Sequence, residues 1–145
     1  FRGRELKPAV TQTDAGSITI PENPLILVAE DDESNYLYIE VVLKKSGYRF
    51  LHVEDGKSAV DLCRKQPEID LVLMDVKMPV MDGLEATRQI KAFRKDLPVV
   101  AITAYALSGD EHRIRQAGCD DYIAKPVRQE VLSSVISKNL TKKVL

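Results

Sequence analysis

From Leu25 onward, short apolar runs alternate with amphipathic stretches, and five such pairs follow one another to about residue 139. That alternation predicts an α/β, doubly wound domain: a five-stranded parallel sheet joined by crossover helices. Leu25-Ile26-Leu27-Val28-Ala29 is apolar at every position, as a strand buried on both faces should be, and it ends abruptly at Glu30-Asp31-Asp32. A helix follows through Leu43, with Gly47 as its stop. Residues 49–53 predict a second strand and Asp55-Gly56 a turn. Residues 58–65 then predict a helix with Ala59, Val60, Leu62 and Cys63 inward, closed by Pro67. The third strand, 69–74, ends at Asp75, and a helix from about Leu84 to Arg94 puts Leu84, Thr87 and Ile90 on one face. A fourth strand, 99–102, ends at Thr103, and a more polar helix around 110–116 stops at Gly118. The fifth strand, Tyr122-Ile123-Ala124, is short and ends at Lys125-Pro126. A last helix over about 129–139 carries Val131, Leu132, Val135 and Ile136.

Residues 1–24 break this pattern. Gly3, Pro8, Gly16, Pro21 and Pro24 are spread among Thr, Ser and charges with no sustained apolar period, which reads as a linker or tail; residues 141–145 read as a short C-terminal tail. The 145 residues fit one domain, and no apolar run is long enough to span a bilayer, so this segment is expected to make no membrane contact. Lys and Arg number 21 against 22 Asp and Glu. Without a cationic excess, direct nucleic-acid binding is not expected. Cys63 and Cys119 lack metal-ligand spacing and follow no secretory signal, which points to free thiols and a cytoplasmic location. The start at Phe1 points to a piece of a longer polypeptide.

The polar residues at the strand ends carry the chemistry. Glu30 and Asp31, Asp75, Thr103 and Lys125 each follow the last apolar position of a strand, and in an open doubly wound sheet the carboxyl ends of the strands form the ligand-binding crevice. Any one of these residues alone would be an ordinary loop or surface group; the set at four strand ends is the signal. Three carboxylates gathered there repel one another unless a cation lies between them. The candidate ligands are all oxygen and none is His or Cys, which favours Mg²⁺, with Mn²⁺ as the alternative, over Zn²⁺. Asp75 is the candidate nucleophile for phosphorus. The metal, the Lys125 ammonium and the Thr103 hydroxyl are placed to stabilise charge on the transferred group.

The stretches Ile26-Leu27-Val28-Ala29-Glu30-Asp31-Asp32, Met74-Asp75-Val76-Lys77-Met78-Pro79-Val80-Met81-Asp82-Gly83, Ile102-Thr103-Ala104 and Lys125-Pro126 together resemble the response-regulator receiver family of two-component signalling, over about residues 25–140. The resemblance implies the flavodoxin-like strand order 2-1-3-4-5. It implies that Asp75 is the phosphorylated aspartate and that Glu30 and Asp31 are the acidic metal pair, with Glu30 where many members have Asp. Asp32 then falls just after the pair. By the same resemblance the Lys77 carbonyl is a further metal ligand, Thr103 bonds the phosphoryl group, and Tyr122 is the switch aromatic. Lys125 is the family lysine, joined to Pro126 by a bond that is typically cis. The partner implied is a histidine kinase or a histidine phosphotransfer domain, from which the domain catalyses its own phosphorylation, and later its own dephosphorylation.

Two other readings are open. One is a metal-dependent phosphohydrolase with an aspartyl-phosphate intermediate, although such enzymes carry a second Asp where Lys77 stands here. The other is a degenerate receiver that only docks a partner. His52, in a strand pattern, and His112, on a polar helix, do not read as phosphodonors, and no Gly-x-Gly-x-x-Gly or Walker-type loop offers an ATP site. The loop after Asp75, the Glu-Asp pair and the Pro-rich leader resemble receivers at the C-terminus of hybrid sensor histidine kinases. Residues 16–21 weakly echo the terminal strand of such kinases' ATP-binding domain. The expected parent is therefore a hybrid kinase, a chain whose other segments are open to membrane anchoring.

Overall fold

Three strands are buried at every position because both faces of the sheet are covered. Our computed structural model describes residues 10–12, 18–21 and 23–143. In it β1 (Leu25–Ala29), β3 (Leu71–Asp75) and β4 (Val99–Thr103) are buried along their whole length. β2 (Arg49–Val53) and β5 (Asp121–Ala124) are partly exposed edges. All five are parallel in the order β2-β1-β3-β4-β5, so the expected 2-1-3-4-5 arrangement is observed.

The two-residue period of a strand sorts the core into two layers. Leu25, Leu27, Val72, Met74, Val99 and Ala101 face α2 (Gly56–Lys65), α3 (Gly83–Phe93) and α4 (Glu111–Ala117). Ile26, Val28, Leu71, Leu73, Val100 and Ile102 face α1 (Glu33–Ser46) and α5 (Gln129–Leu140). Thr87, on the predicted inner face of α3, is fully buried and donates its hydroxyl hydrogen to the Gly83 carbonyl at 2.7 Å.

Three helices open just beyond strand tips or turns on Asp N-caps that accept from the backbone N–H three residues on. These are Asp32 to Asn35, Asp55 to Ser58 and Asp82 to Glu85. The expected Asp55-Gly56 turn is therefore the start of α2. Gly47 and Gly118 close α1 and α4 in the left-handed region, at φ of 80° and 103°. In front of α4 lies a π-helical turn, Ala106–Asp110, that periodicity did not predict. On α5, Leu132 and Ile136 are buried whereas Val131 is exposed.

Within the segments read as linker and tail, Val10–Gln12 and Ile18–Pro21 pair antiparallel, and Ile18–Pro21 also pairs with Lys142–Lys143. The echo of a kinase strand falls partly on residues 16 and 17, outside the described residues. The remaining leader residues up to 24, apart from Asn23 and Pro24, and positions 144–145 also lie outside them.

Candidate functional site

Register brings the acids together. Ala29 pairs with Met74, so the residues that follow, Glu30 and Asp75, leave the sheet side by side. Carboxylate oxygens of Glu30, Asp31 and Asp75 all lie within 4.8 Å of one another. Glu30 and Asp75 are only 1% and 3% exposed, whereas Asp31 is exposed. Asp32 stays outside this cluster because its carboxylate caps α1. The fold thus gathers Glu30 and Asp31 beside Asp75, and the third acid of the run serves the helix.

Glu30 is held from several directions. Its backbone N–H donates to Val53 O at 3.0 Å, its carbonyl accepts from His52 Nε2 at 2.8 Å, and Oε2 accepts from the Asp32 N–H at 3.1 Å. A carbonyl only accepts, so Nε2 carries the proton in that contact. The His52 ring stacks on Tyr36 with centroids 3.6 Å apart. Glu30 Oε1 is buried with no hydrogen-bond partner. Burial, followed by the close approach and negative charge of Asp75, pushes the Glu30 carboxyl up to about 8.

An orphaned buried carboxylate oxygen beside two further carboxylates is a mismatch that a hard divalent cation resolves, and the all-oxygen donor set suits Mg²⁺. The residues therefore fit such an ion.

Asp75 has a partner on each oxygen. Lys125 Nζ donates to Oδ2 at 2.9 Å, and the Lys77 N–H donates to Oδ1 at 3.1 Å. Burial works against the Lys125 ammonium, but the Asp75 hydrogen bond and charge, aided by Glu30 and Asp32, outweigh it and raise its pKa. Lys125 is presented from the end of β5, where its N–H donates to Thr103 O at 2.8 Å, and the Lys125–Pro126 bond is cis as expected. The Lys77 ammonium lies 5.0 Å from the Tyr105 ring centroid.

Thr103 reaches the same end of the sheet, but its hydroxyl is turned elsewhere. It donates to Asp110 Oδ2 at 3.0 Å and accepts from the Tyr105 N–H at 3.0 Å. Tyr122 is half-buried against the α2–α4 layer, with the Arg115 guanidinium 6.0 Å from its ring centroid. Sequence reasoning missed His52 as a support for Glu30 and Asp110 as the partner of Thr103. Neither spacing carries a pattern that marks a contact.

Among the described residues, no helix is long and apolar enough to cross a membrane. A sequence model of the response regulator receiver domain matches residues 26–137. The chain is 36% identical over 138 residues to the sensor protein GacS of Pseudomonas syringae pv. syringae, covering 92% of this chain but only 15% of that protein. It is 40% identical over 104 residues to the polar-differentiation response regulator DivK of Brucella ovis, covering 70% of this chain and 84% of that one. Among solved structures it resembles the receiver domain of sensor histidine kinase PA1611 from Pseudomonas aeruginosa PAO1, which has a magnesium ion coordinated in its active-site cleft. The TM-score is 0.77 at 39% identity, over 82% of this chain and 98% of that one. It also resembles the Saccharomyces cerevisiae receiver domain of Ssk1, seen in complex with the histidine phosphotransfer protein Ypd1. There the TM-score is 0.75 at 28% identity, over 80% of this chain and 88% of that one. A chain whose fold, acidic strand tips and family match coincide over one stretch belongs to the response regulator receiver domains of two-component signalling.

Proposed function

We propose that residues 25–140 work as a phosphoacceptor receiver, flanked by a linker at 1–24 and a tail at 141–145, and that Asp75 takes the phosphoryl group from a partner phosphohistidine. The observation that carries this reading is the cluster of Glu30, Asp31 and Asp75 oxygens within 4.8 Å, with Lys125 bonded to Asp75. In the transfer an Asp75 carboxylate oxygen forms a bond to phosphorus as the phosphorus–nitrogen bond breaks, and the imidazole nitrogen leaves with the electron pair. Lys125 is already on one Asp75 oxygen and shifts to the incoming phosphoryl oxygens. The Lys77 N–H orients the other oxygen. Glu30 and Asp31, with Asp75 and the Lys77 carbonyl, would hold Mg²⁺, which supplies charge neutralisation on the carboxylates and the transferred group. Thr103 would donate to a phosphoryl oxygen, and Tyr122 would respond as the switch aromatic.

A macromolecular donor, a histidine kinase or histidine phosphotransfer domain, is supported by what surrounds the acids. Leu37, Tyr38 and Val41 are exposed on one face of α1, and Val80, 79% exposed at φ 68°, stands on the loop after Asp75. The phosphohydrolase reading has no support at position 77, where an acid–base group would be required and the side chain lies over Tyr105. We further propose a hybrid sensor kinase as the parent, in keeping with the likeness to GacS, and a cytoplasmic location, in keeping with two buried free thiols. Incubation with acetyl phosphate and Mg²⁺ should add one phosphate by intact mass, and Asp75→Asn should add none. Label persisting in Asp75→Asn would move the nucleophile elsewhere.

A further inference from the structure

We propose that Asp110 is a positioning residue that competes with a phosphoryl group on Asp75 for the single proton of the Thr103 hydroxyl, and so sets how readily the domain switches. This goes beyond the phosphoacceptor reading and rests on it.

A hydroxyl carries one proton, and here it is given to Asp110 Oδ2 at 3.0 Å. While that bond stands, Thr103 has nothing to donate to a phosphoryl oxygen. One of its two lone pairs is also engaged, since the Tyr105 N–H donates to Oγ1. Thr103 and Asp110 are 2% and 7% exposed, so water does not readily take over for either. The other Asp110 oxygen accepts from Arg113 at 2.8 Å, which makes the acceptor charged and the bond charge-assisted.

Asp110 also ends the π-helical turn Ala106–Asp110, immediately after Gly109 at φ 91°. Such turns are rare and collect at functional sites. A phosphoryl group has more negative charge and more acceptor oxygens than a carboxylate, so it can draw the Thr103 proton away. Asp110 Oδ2 would then be left buried without a donor, a costly state. The cost is relieved if the turn carries the carboxylate outward with Arg113, whose side chain is already 62% exposed. Loss of one hydrogen bond at Thr103 would thereby become movement of the segment leading into α4.

The test is a double-mutant cycle on the full chain, with beryllofluoride and Mg²⁺ as the probe, binding measured by titration calorimetry and mobility by amide exchange. Asp110→Ala should bind the probe about tenfold more tightly than the parent, because a charge-assisted bond no longer has to be broken. Thr103→Val should bind more weakly, and adding Asp110→Ala to it should change nothing further. Asp110→Asn keeps an acceptor oxygen without the charge and should lie between the parent and Asp110→Ala, so it decides the matter if the alanine variant does not fold. In the parent, beryllofluoride should speed exchange across residues 106–113. The proposal is overturned if neither Asp110 variant binds more tightly, or if the gain is the same with and without the Thr103 hydroxyl. Failure of the parent to bind the probe, or equal binding by Asp75→Asn, would instead overturn the phosphoacceptor reading and the proposal with it.

Discussion

Metal-free protein should lose stability as pH rises from 5 to 8, and Glu30 should be the reason. Its carboxyl is pushed up from 4.5 to about 8 by burial and by Asp75. Between those values the folded chain keeps a proton that the unfolded chain has released, so unfolding free energy falls with increasing pH. The stabilisation is complete below the unfolded value and is lost as pH passes through the folded one. At 1.36 kcal/mol per pKa unit the fall is at most about 5 kcal/mol. Because Glu30 is surrounded by other charged groups we expect about 2–5 kcal/mol, and at about 3 °C per kcal/mol the smaller figure already lowers Tm by about 6 °C. Lys125, whose pKa is raised from 10.5, adds nothing in this window. Glu30→Gln is the matching perturbation, since a neutral amide copies the protonated carboxyl and still accepts from the Asp32 N–H. Chelator-treated parent and variant should be melted from pH 5 to 8 by circular dichroism. The parent curve should fall and the variant curve stay nearly flat, with the variant the more stable at pH 8. Mg²⁺ should raise the parent's Tm more at pH 8 than at pH 6, where it has to displace the proton. Parallel curves for parent and variant would refute the assignment of the pH dependence to Glu30.

Asp31→Ala should keep the fold but lose most of the metal response. At Mg²⁺ 100-fold above its Kd the parent gains about 2.7 kcal/mol, and a roughly 100-fold loss of affinity leaves about 0.4 kcal/mol, readable as a shrunken Tm rise. An undiminished rise would remove Asp31 from the ligand set. Gly83→Ala should destabilise by about 2–4 kcal/mol in urea melts, because a Cβ there would collide with the Asp75 carbonyl and the Met74 side chain. A neutral result would mean that α3 can draw back from β3 without penalty.

The strands and the residues at their tips were legible in the sequence. A parallel strand covered on both faces has to be apolar throughout, so the first polar residue after the runs of β1, β3 and β4 marks the tip, which is how Glu30, Asp75 and Thr103 stand out. Helix boundaries followed from equally local chemistry, through Gly47 and Gly118 at helix ends. The same run of acids shows where that legibility stops. By spacing alone Glu30, Asp31 and Asp32 are three adjacent acids, and the family resemblance set the first two apart; the physical reason lies in the sheet register, which lays Glu30 beside Asp75, and in the start of α1, which claims Asp32 as its cap. The Thr103 contact with Asp110 and the His52 contact with Glu30 were likewise decided by the fold. So was the pairing of Ile18–Pro21 with Lys142–Lys143. Periodicity reports which face of an element a residue occupies. Which partner its polar atoms meet depends on strand register, side-chain rotamer and the path of chain brought near from elsewhere in the sequence, and those exist only once the elements have packed.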